Sequence, residues 1–173
     1  MVHLITGLPG AGKSEVARLI SESIRALVVN TDTVRDRLFT KRTTNLHGDF
    51  TDEQIRAVYS TITTLAYYLV VYSPEKHLVL DGSFRYEQQR RSIIDEMKRI
   101  EHQIQGIYVR ADPDIIRKRL EYRHNLGQHQ ATFATYQRVE QIYEKPLDYY
   151  EIDNSGSLVD LESKVKTYLS AWI

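Results

Sequence analysis

The sequence has no cysteine, no net charge and no long apolar run, and each absence excludes a class of protein. Without cysteine there is no disulfide, no thiol catalysis and no zinc site built from thiolates. Lys and Arg number 23 and balance 23 Asp and Glu, so no overall field attracts nucleic acid or an anionic membrane. The apolar stretches are shorter than the ~20 residues that cross a bilayer. The first predicted strand starts at the N-terminus and leaves no room for a signal peptide. We therefore expect a cytoplasmic protein with no membrane partner.

The most informative segment is a glycine-rich loop near the N-terminus. It reads Gly7-Leu8-Pro9-Gly10-Ala11-Gly12-Lys13-Ser14 and matches the phosphate-binding pattern G-x-x-x-x-G-K-[ST]. An apolar run precedes it at 2–6 and a segment with helical spacing follows it at 15–20, which is the strand, loop and helix context that this motif requires. In such a P-loop the backbone N–H groups and the helix N-terminus bind phosphates. Lys13 then reaches the β- and γ-phosphates, and the Ser14 hydroxyl binds Mg²⁺. The whole loop is thus predicted to bind a nucleoside triphosphate, with ATP and Mg²⁺ as cofactors.

Apolar runs alternate with helical patterns along the rest of the chain. The runs that predict buried strands lie at 2–6, 26–30, 77–81, 104–110 and 149–153. Among the helices, one shows an apolar stripe over Ile55, Tyr59, Ile62, Leu65, Ala66 and Leu69, one starts at Asp112-Pro113 and one covers 157–169. Continuous apolar strands separated by helices indicate a parallel sheet that is covered on both faces. We predict an α/β protein of three layers, a P-loop NTPase fold with a five-stranded parallel sheet, as one domain over 1–173.

The segment 124–135 interrupts this alternation, because it is polar, contains a glycine and lies late in the chain. We interpret it as a small lid, a mobile element over the nucleotide site. An ordinary surface connection would have the same composition, so the two interpretations are both kept.

In an open α/β sheet, ligands bind at the carboxyl ends of the strands, and charged residues follow three of the predicted strands there. Asp32 follows the second strand, with Arg35 one helical turn later. The carboxylate could accept the proton of an attacking hydroxyl, and the guanidinium could hold that acceptor or the transferring phosphoryl group. The alternative is that Asp32 caps a helix and that Arg35 lies on a solvated face.

Asp81 ends the third predicted strand and is followed by Gly82. An acid at this place could hold the metal ion through water. As an alternative, Asp81 is a turn residue in an Asp-Gly dipeptide.

Three arginines, Arg117, Arg119 and Arg123, lie in the helix that leads into the proposed lid. Arg119 and Arg123 are one turn apart on one face and could bind the nucleotide phosphates, whereas Arg117 is interpreted as a solvated residue. The six histidines show no metal-binding spacing. The tyrosines, including Tyr67-Tyr68 and Tyr149-Tyr150, are interpreted as half-buried packing residues rather than a surface for stacking bases.

These motifs together resemble the P-loop kinases of the nucleoside-monophosphate-kinase-like group, and most closely the AAA-type predicted kinases related to polynucleotide 5′-hydroxyl kinases, zeta toxins and adenylylsulfate or gluconate kinases. The resemblance covers about residues 1–150 and also includes Tyr143-Glu144-Lys145-Pro146. It implies that Asp32 activates the acceptor, that Arg35 binds the acceptor or the γ-phosphate, and that Arg123 is a lid arginine. The sequence departs from the adenylylsulfate kinases at Asn30, where they have an extra acid.

The leading hypothesis is therefore an ATP-dependent kinase that transfers the γ-phosphoryl group to a hydroxyl of a small molecule or of a nucleic-acid 5′ end, the latter not favoured by the net charge. The first alternative is a P-loop ATPase or switch without an acceptor, although the N-K-x-D motif of GTPases is absent. The second is a nucleic-acid-binding protein that uses its arginines. The partners are then ATP and an acceptor of unknown identity, and the protein is predicted to be a monomer or a homodimer.

Overall fold

A computed structural model describes residues 1–39, 50–127 and 131–172. All five predicted strands are present, with bounds that differ from the predicted ones by no more than one residue. They are β1 (Val2–Thr6), β2 (Leu27–Asn30), β3 (Leu78–Asp81), β4 (Ile104–Arg110) and β5 (Tyr150–Asp153). The helices are α1 (Lys13–Ile24), α2 (Thr31–Leu38), α3 (Asp52–Tyr72), α4 (Glu87–Arg99), α5 (Pro113–Asn125), α6 (Phe133–Ile142) and α7 (Leu158–Trp172).

The strands form one parallel sheet in the order β2-β3-β1-β4-β5, which confirms the predicted fold class. The glycine-rich loop follows the central strand β1. In the register of the sheet, Asp81 lies beside Ile5 of β1 on one side and beside Asn30 of β2 on the other. The carboxyl ends of these strands therefore bring the loop, Asn30 and Asp81 to the same edge.

Helices cover both faces of the sheet, as the continuous apolar strands predicted. Alternate residues of β1 point to opposite faces. Ile5 belongs to a core shared with α1 and α7, whose members include Val16 and Leu161, whereas Leu4 belongs to a second core shared with α3 and α4. Strands β1 and β3 are buried on both faces, whereas the edge strands keep exposed residues such as Val28 and Glu151. Burial of both faces is why the apolar runs of the inner strands are continuous rather than alternating.

Helix α3 starts where its sequence predicts, and its buried face includes part of the predicted stripe. Thr51 and Gln54 form a capping box at its N-terminus. The buried residues are Gln54, Val58, Ile62 and Ala66, whereas Leu65 of the predicted stripe is exposed. Apolar side chains occur on several sides of this helix, so spacing alone does not identify the face that meets the sheet.

Part of the proposed lid is helical. Residues 124 and 125 end α5, and α6 begins at Phe133, so this helix was not expected from the sequence. Residues 128–130 lie outside the described residues. A small apolar cluster of Ile116, Leu120 and Tyr136 joins α5 to α6, and Leu8 of the glycine-rich loop and Phe133 pack against it. In the part of the chain that the structure describes, no helix is both long and apolar enough to cross a membrane.

Candidate active site

The glycine-rich loop needs glycine at two positions for steric reasons. Gly7 has a φ of +151°, and a Cβ there would lie 2.2 Å from the carbonyl oxygen of Val109. Gly12 has a φ of +93°, and a Cβ there would lie 2.0 Å from Nδ2 of Asn154. The loop is therefore held tightly against β4 and the segment after β5. Its backbone then passes directly into α1, which begins at Lys13.

Lys13 is within electrostatic range of three other predicted site residues, Asp81, Asp32 and Arg123. Its Nζ donates a hydrogen bond to the carbonyl oxygen of Leu8 at 2.9 Å. Burial lowers the pKa of Lys13, while the carboxylates of Asp81 and Asp32 raise it and the charge of Arg123 lowers it. The fold thus brings the lysine, both predicted acids and the predicted lid arginine into one electrostatic environment.

Asp81 is buried, with 2% of its surface exposed. Its Oδ2 accepts hydrogen bonds from Ser14 Oγ and from Asn30 Nδ2, both at 2.7 Å. Its Oδ1 is buried and has no hydrogen-bond partner. This buried and hydrogen-bonded environment favours the metal-binding interpretation over that of a turn residue in an Asp-Gly dipeptide.

The free oxygen of Asp81 beside the Ser14 hydroxyl fits a magnesium site of the kind found beside nucleotides. Mg²⁺ prefers oxygen ligands and usually keeps several waters, so it needs few protein groups when phosphates supply the others. Among the described residues, no group of three or more His, Cys, Asp or Glu side chains could hold a metal ion without such phosphates.

Asn30, and not Asp32, caps helix α2. The Asn30 side chain accepts hydrogen bonds from the backbone N–H groups of Asp32 at 2.9 Å and Thr33 at 3.0 Å. The sequence analysis considered Asp32 as the cap, and this alternative is wrong. Asp32 lies in the first turn of α2, and its side chain does not cap the helix.

Asp32 is paired with Arg35, as the spacing predicted. Arg35 Nη1 donates to Asp32 Oδ1 at 2.7 Å, and the Asp32 side chain is 52% exposed. The Arg35 guanidinium also lies over the ring of Phe50, 4.6 Å from its centroid. The carboxylate is thus oriented by a held arginine and remains accessible, which suits a group that accepts a proton.

Arg119 is attached to the loop through Asn154. Its Nη2 donates to the carbonyl oxygen of Asn154 at 2.9 Å, and Asn154 Nδ2 donates to the carbonyl oxygen of Ala11 at 2.9 Å. Arg119 Nη1 is buried without a hydrogen-bond partner. Burial lowers the pKa of Arg119, and the charge of Arg123 lowers it further. Arg117 instead stacks over Phe133, 4.3 Å from its centroid.

The sequence analysis missed several residues that shape the site. Asn154 is buried against the loop, and no motif indicates it. The turn after β3 is another such feature: Phe84 is buried with a φ of +37°. Arg90 Nη1 donates to the carbonyl oxygen of Phe84 at 2.7 Å, and Thr6 Oγ1 donates to that of Ser83 at 2.6 Å.

This turn places Arg85 next to the site, with its Nε buried and without a hydrogen-bond partner. Arg85 follows Asp81 by four residues, which is the only signal that could have identified it.

The segment Tyr143-Glu144-Lys145-Pro146 connects α6 to the site. The hydroxyls of Tyr143 and Thr6 are 2.8 Å apart, and the Glu144 carboxylate accepts a hydrogen bond from the backbone N–H of Glu87. Burial raises the pKa of Tyr143. This segment therefore supports the carboxyl end of β1 and the start of α4.

The chain belongs to the AAA domain family, whose model matches residues 2–146. None of the curated proteins compared with it matches significantly.

The chain is also similar to solved structures, among them two kinases. A gluconokinase from Sinorhizobium meliloti 1021 superposes with a TM-score of 0.74 at 16% identity over 98% of this chain and 91% of that one. The Mycobacterium tuberculosis APS kinase CysC, in complex with AMPPNP and APS, gives a TM-score of 0.71 at 15% identity over 98% and 95%. Kti12 from Chaetomium thermophilum, in complex with ADP-AlF3, gives 0.71 at 16% identity over 100% of both chains. At these identities the similarity shows the fold, and it confirms the resemblance to the P-loop kinase group.

Proposed function

We propose that this member of the AAA domain family is a phosphotransferase that moves the γ-phosphoryl group of ATP to a hydroxyl of an acceptor. The observation that supports this best is the accessible Asp32 carboxylate, which is held by Arg35 and acts electrostatically on Lys13. A module that only binds nucleotide has no use for such a carboxylate, whereas a kinase needs it beside the acceptor.

ATP is the proposed phosphoryl donor. Residues 7–14 form the P-loop, and two similar structures hold AMPPNP and ADP-AlF3. The Lys13 ammonium would contact the β- and γ-phosphates, and Arg119 and Arg123 would add positive charge from the other side of the loop. Arg119 has an unpartnered buried N–H group available for this purpose.

Mg²⁺ is the proposed metal, and Ser14 and Asp81 are the residues that would hold it. When bound, it neutralises charge on the β- and γ-oxygens. Ser14 would ligate directly, and Asp81 would act through water with its free Oδ1.

In the proposed reaction, the acceptor hydroxyl oxygen attacks the γ-phosphorus and the bond from the γ-phosphorus to the β–γ bridging oxygen breaks, which releases ADP. The hydroxyl proton passes to the Asp32 carboxylate. Lys13 and the arginines stabilise the negative charge on the transferring group. Arg35 keeps the Asp32 carboxylate oriented toward the acceptor.

We further propose that residues 124–135 act as a lid. Helices α5 and α6 share an apolar cluster that Leu8 of the loop contacts, so movement of this pair is coupled to the loop. Closure would exclude water, which competes with the acceptor for the phosphoryl group. The cytoplasmic location and the monomeric or homodimeric state stay predictions from the sequence.

The test is a screen for label transfer from γ-labelled ATP to sugars, nucleosides and 5′-hydroxyl oligonucleotides, with and without Mg²⁺. In Asp32→Asn, transfer should fall by about 10²–10⁴ while ATP binding is kept, as for a lost general base. The matched control is Asp36→Asn, which removes the other carboxylate that contacts Arg35 from the same helix and should leave transfer nearly unchanged. Mg²⁺-dependent release of inorganic phosphate without transfer to any acceptor would instead support the ATPase or switch.

A further inference from the structure

A cavity adjoins the proposed active site on the surface between α3 and α4. Its volume is about 820 Å³, within the range of small-molecule sites. Both helices begin at the carboxyl edge of the sheet, because α3 leads into β3 and α4 follows it. The cavity therefore starts at the edge that holds Asp32 and extends from there along the two helices. We call it the α3/α4 groove.

The groove meets the proposed catalytic residues at Tyr59 and Tyr86, which both line it. The Tyr59 ring lies 5.2 Å from that of Phe84 in the turn after β3, and the Arg85 guanidinium lies 5.8 Å from the centroid of Tyr86. The charges of Arg85, Asp32 and Arg35 all act on Tyr59, and burial raises its pKa to about 12. A molecule in the groove thus has one end at the turn after β3, within electrostatic range of the Asp32–Arg35 pair.

Aromatic side chains line the groove along its length. Besides Tyr59 and Tyr86 these are Tyr67 and Tyr68. Tyr68 is 55% exposed and packs against Tyr67 and Tyr72, so it is half-buried as the sequence predicted, and its exposed part lines the groove. Ring faces that remain accessible in a concave site bind the apolar faces of other rings.

The remaining wall is polar but contains few charges. Gln88 supplies an amide, and Ser60 and Ser92 supply hydroxyls. Such groups donate and accept hydrogen bonds in both directions, which suits a ligand with several hydroxyls.

The charged residues of the groove are Asp52, Glu96 and Arg56, which sum to one negative charge. A phosphorylated ligand would require clustered Arg or Lys along the groove, which these residues do not supply. We propose that the α3/α4 groove binds the phosphoryl acceptor and that this acceptor is an uncharged, polyhydroxylated molecule containing a ring. This inference rests on the proposed kinase function and specifies its acceptor class.

Two ligand sources share this chemistry, sugars and nucleosides, and the experiment separates them. Saturation-transfer NMR without ATP would measure binding of glucose, ribose, adenosine and cytidine, each compared with its monophosphate. We expect uncharged members to bind and their monophosphates to bind more weakly. Rates of label transfer from γ-labelled ATP to the same compounds would then be measured.

The variant Ser60→Trp fills the groove from an exposed position on α3, away from the phosphate-binding loop. Ala57→Trp is the matched control, since it places the same side chain at an exposed position of the same helix that does not line the groove. Loss of binding and of transfer in Ser60→Trp, with ATP binding kept and Ala57→Trp unaffected, would support the proposal.

The proposal would be overturned by acceptor binding that is equal in Ser60→Trp and the native protein, by preference for the monophosphates, or by no binding of any uncharged member. These outcomes differ from failure of the kinase itself. Binding that Ser60→Trp abolishes, without transfer to any compound, supports the groove and contradicts the proposed reaction. Transfer that Ser60→Trp leaves unchanged supports the proposed reaction and contradicts the groove as the acceptor site.

Discussion

At the carboxyl edge of the sheet the half-buried Lys13 lies near Asp81 and Asp32, whereas at the amino edge the fully buried His3 lies near His77 and the N-terminal amine. Burial lowers the pKa of both bases. The two carboxylates oppose that effect on Lys13, but His77 and the N-terminus lower the pKa of His3 further, to about 4.

The difference shows that the carboxyl edge of the sheet stabilises charged side chains, whereas the amino edge favours a neutral imidazole. Helix N-termini and opposite charges meet at the carboxyl edge, so this edge can bind an anion. The groups that act on His3 are all basic, and its imidazole therefore stays neutral. Its Nδ1 is 2.7 Å from the Tyr168 hydroxyl, and its Nε2 is buried without a hydrogen-bond partner.

The largest expected effect comes from removing the cation of the carboxyl edge. Lys13→Ala should lower transfer by about 10²–10³ or more and weaken ATP binding, because a preorganised charge on the phosphates is lost. Calorimetry and label transfer would measure the two effects. Unchanged nucleotide affinity would contradict the assigned role of Lys13.

Removing the buried acid should act on the metal more than on the nucleotide. Asp81→Ala should raise the Mg²⁺ concentration needed for half-maximal transfer, because Asp81 Oδ1 would otherwise bind the hydrated ion. A Mg²⁺ titration at saturating ATP compares the variant with the native protein. Equal midpoints would show that Asp81 only holds Ser14 and Asn30.

A smaller effect is expected at the lid. Arg123→Ala should slow transfer, because its charge acts on Lys13 and Arg119 beside the loop. In the native protein, hydrogen exchange over 124–127 and 131–135 should slow on addition of an ATP analogue and Mg²⁺. The matched variant Arg117→Ala, whose side chain stacks on Phe133, should leave transfer nearly intact. Exchange that does not respond to nucleotide, with full activity of Arg123→Ala, would indicate a fixed surface segment.

The smallest effect concerns stability and the amino edge. The unfolded chain protonates His3 near pH 6.5, but the folded protein does so only near pH 4, so the stability contributed by the neutral imidazole is lost as pH falls between these values. His3 alone would contribute a slope of up to about 1.4 kcal/mol per pH unit in this window and none above it.

Denaturant unfolding of native protein and of His3→Gln between pH 4 and 7.5 would measure this slope. Gln keeps a polar group for Tyr168 but does not titrate. Parallel stability curves for the two proteins would show that His3 does not control the pH dependence.

The order of the elements and the P-loop could be predicted from the sequence, because both depend on short-range patterns. A continuous apolar run indicates a strand buried on both faces, and the glycine loop needs no distant residue to be identified. Asp32 and Arg35 are one helical turn apart, so their pairing could also be predicted.

Only the tertiary structure determined which residues from distant parts of the chain lie beside the P-loop, Asp32 and Arg35. The parallel register places Asn30 beside Asp81, which makes Asn30 both the cap of α2 and a donor to Asp81. Asn154 reaches Ala11 from the end of β5, and Arg85 and Tyr59 meet through the turn after β3. Contacts between residues far apart in sequence depend on how whole elements pack, and local periodicity contains no information about that packing. For the same reason the burial of Gln54 and Val58 on α3, and the groove beside this helix, are seen only in the folded chain.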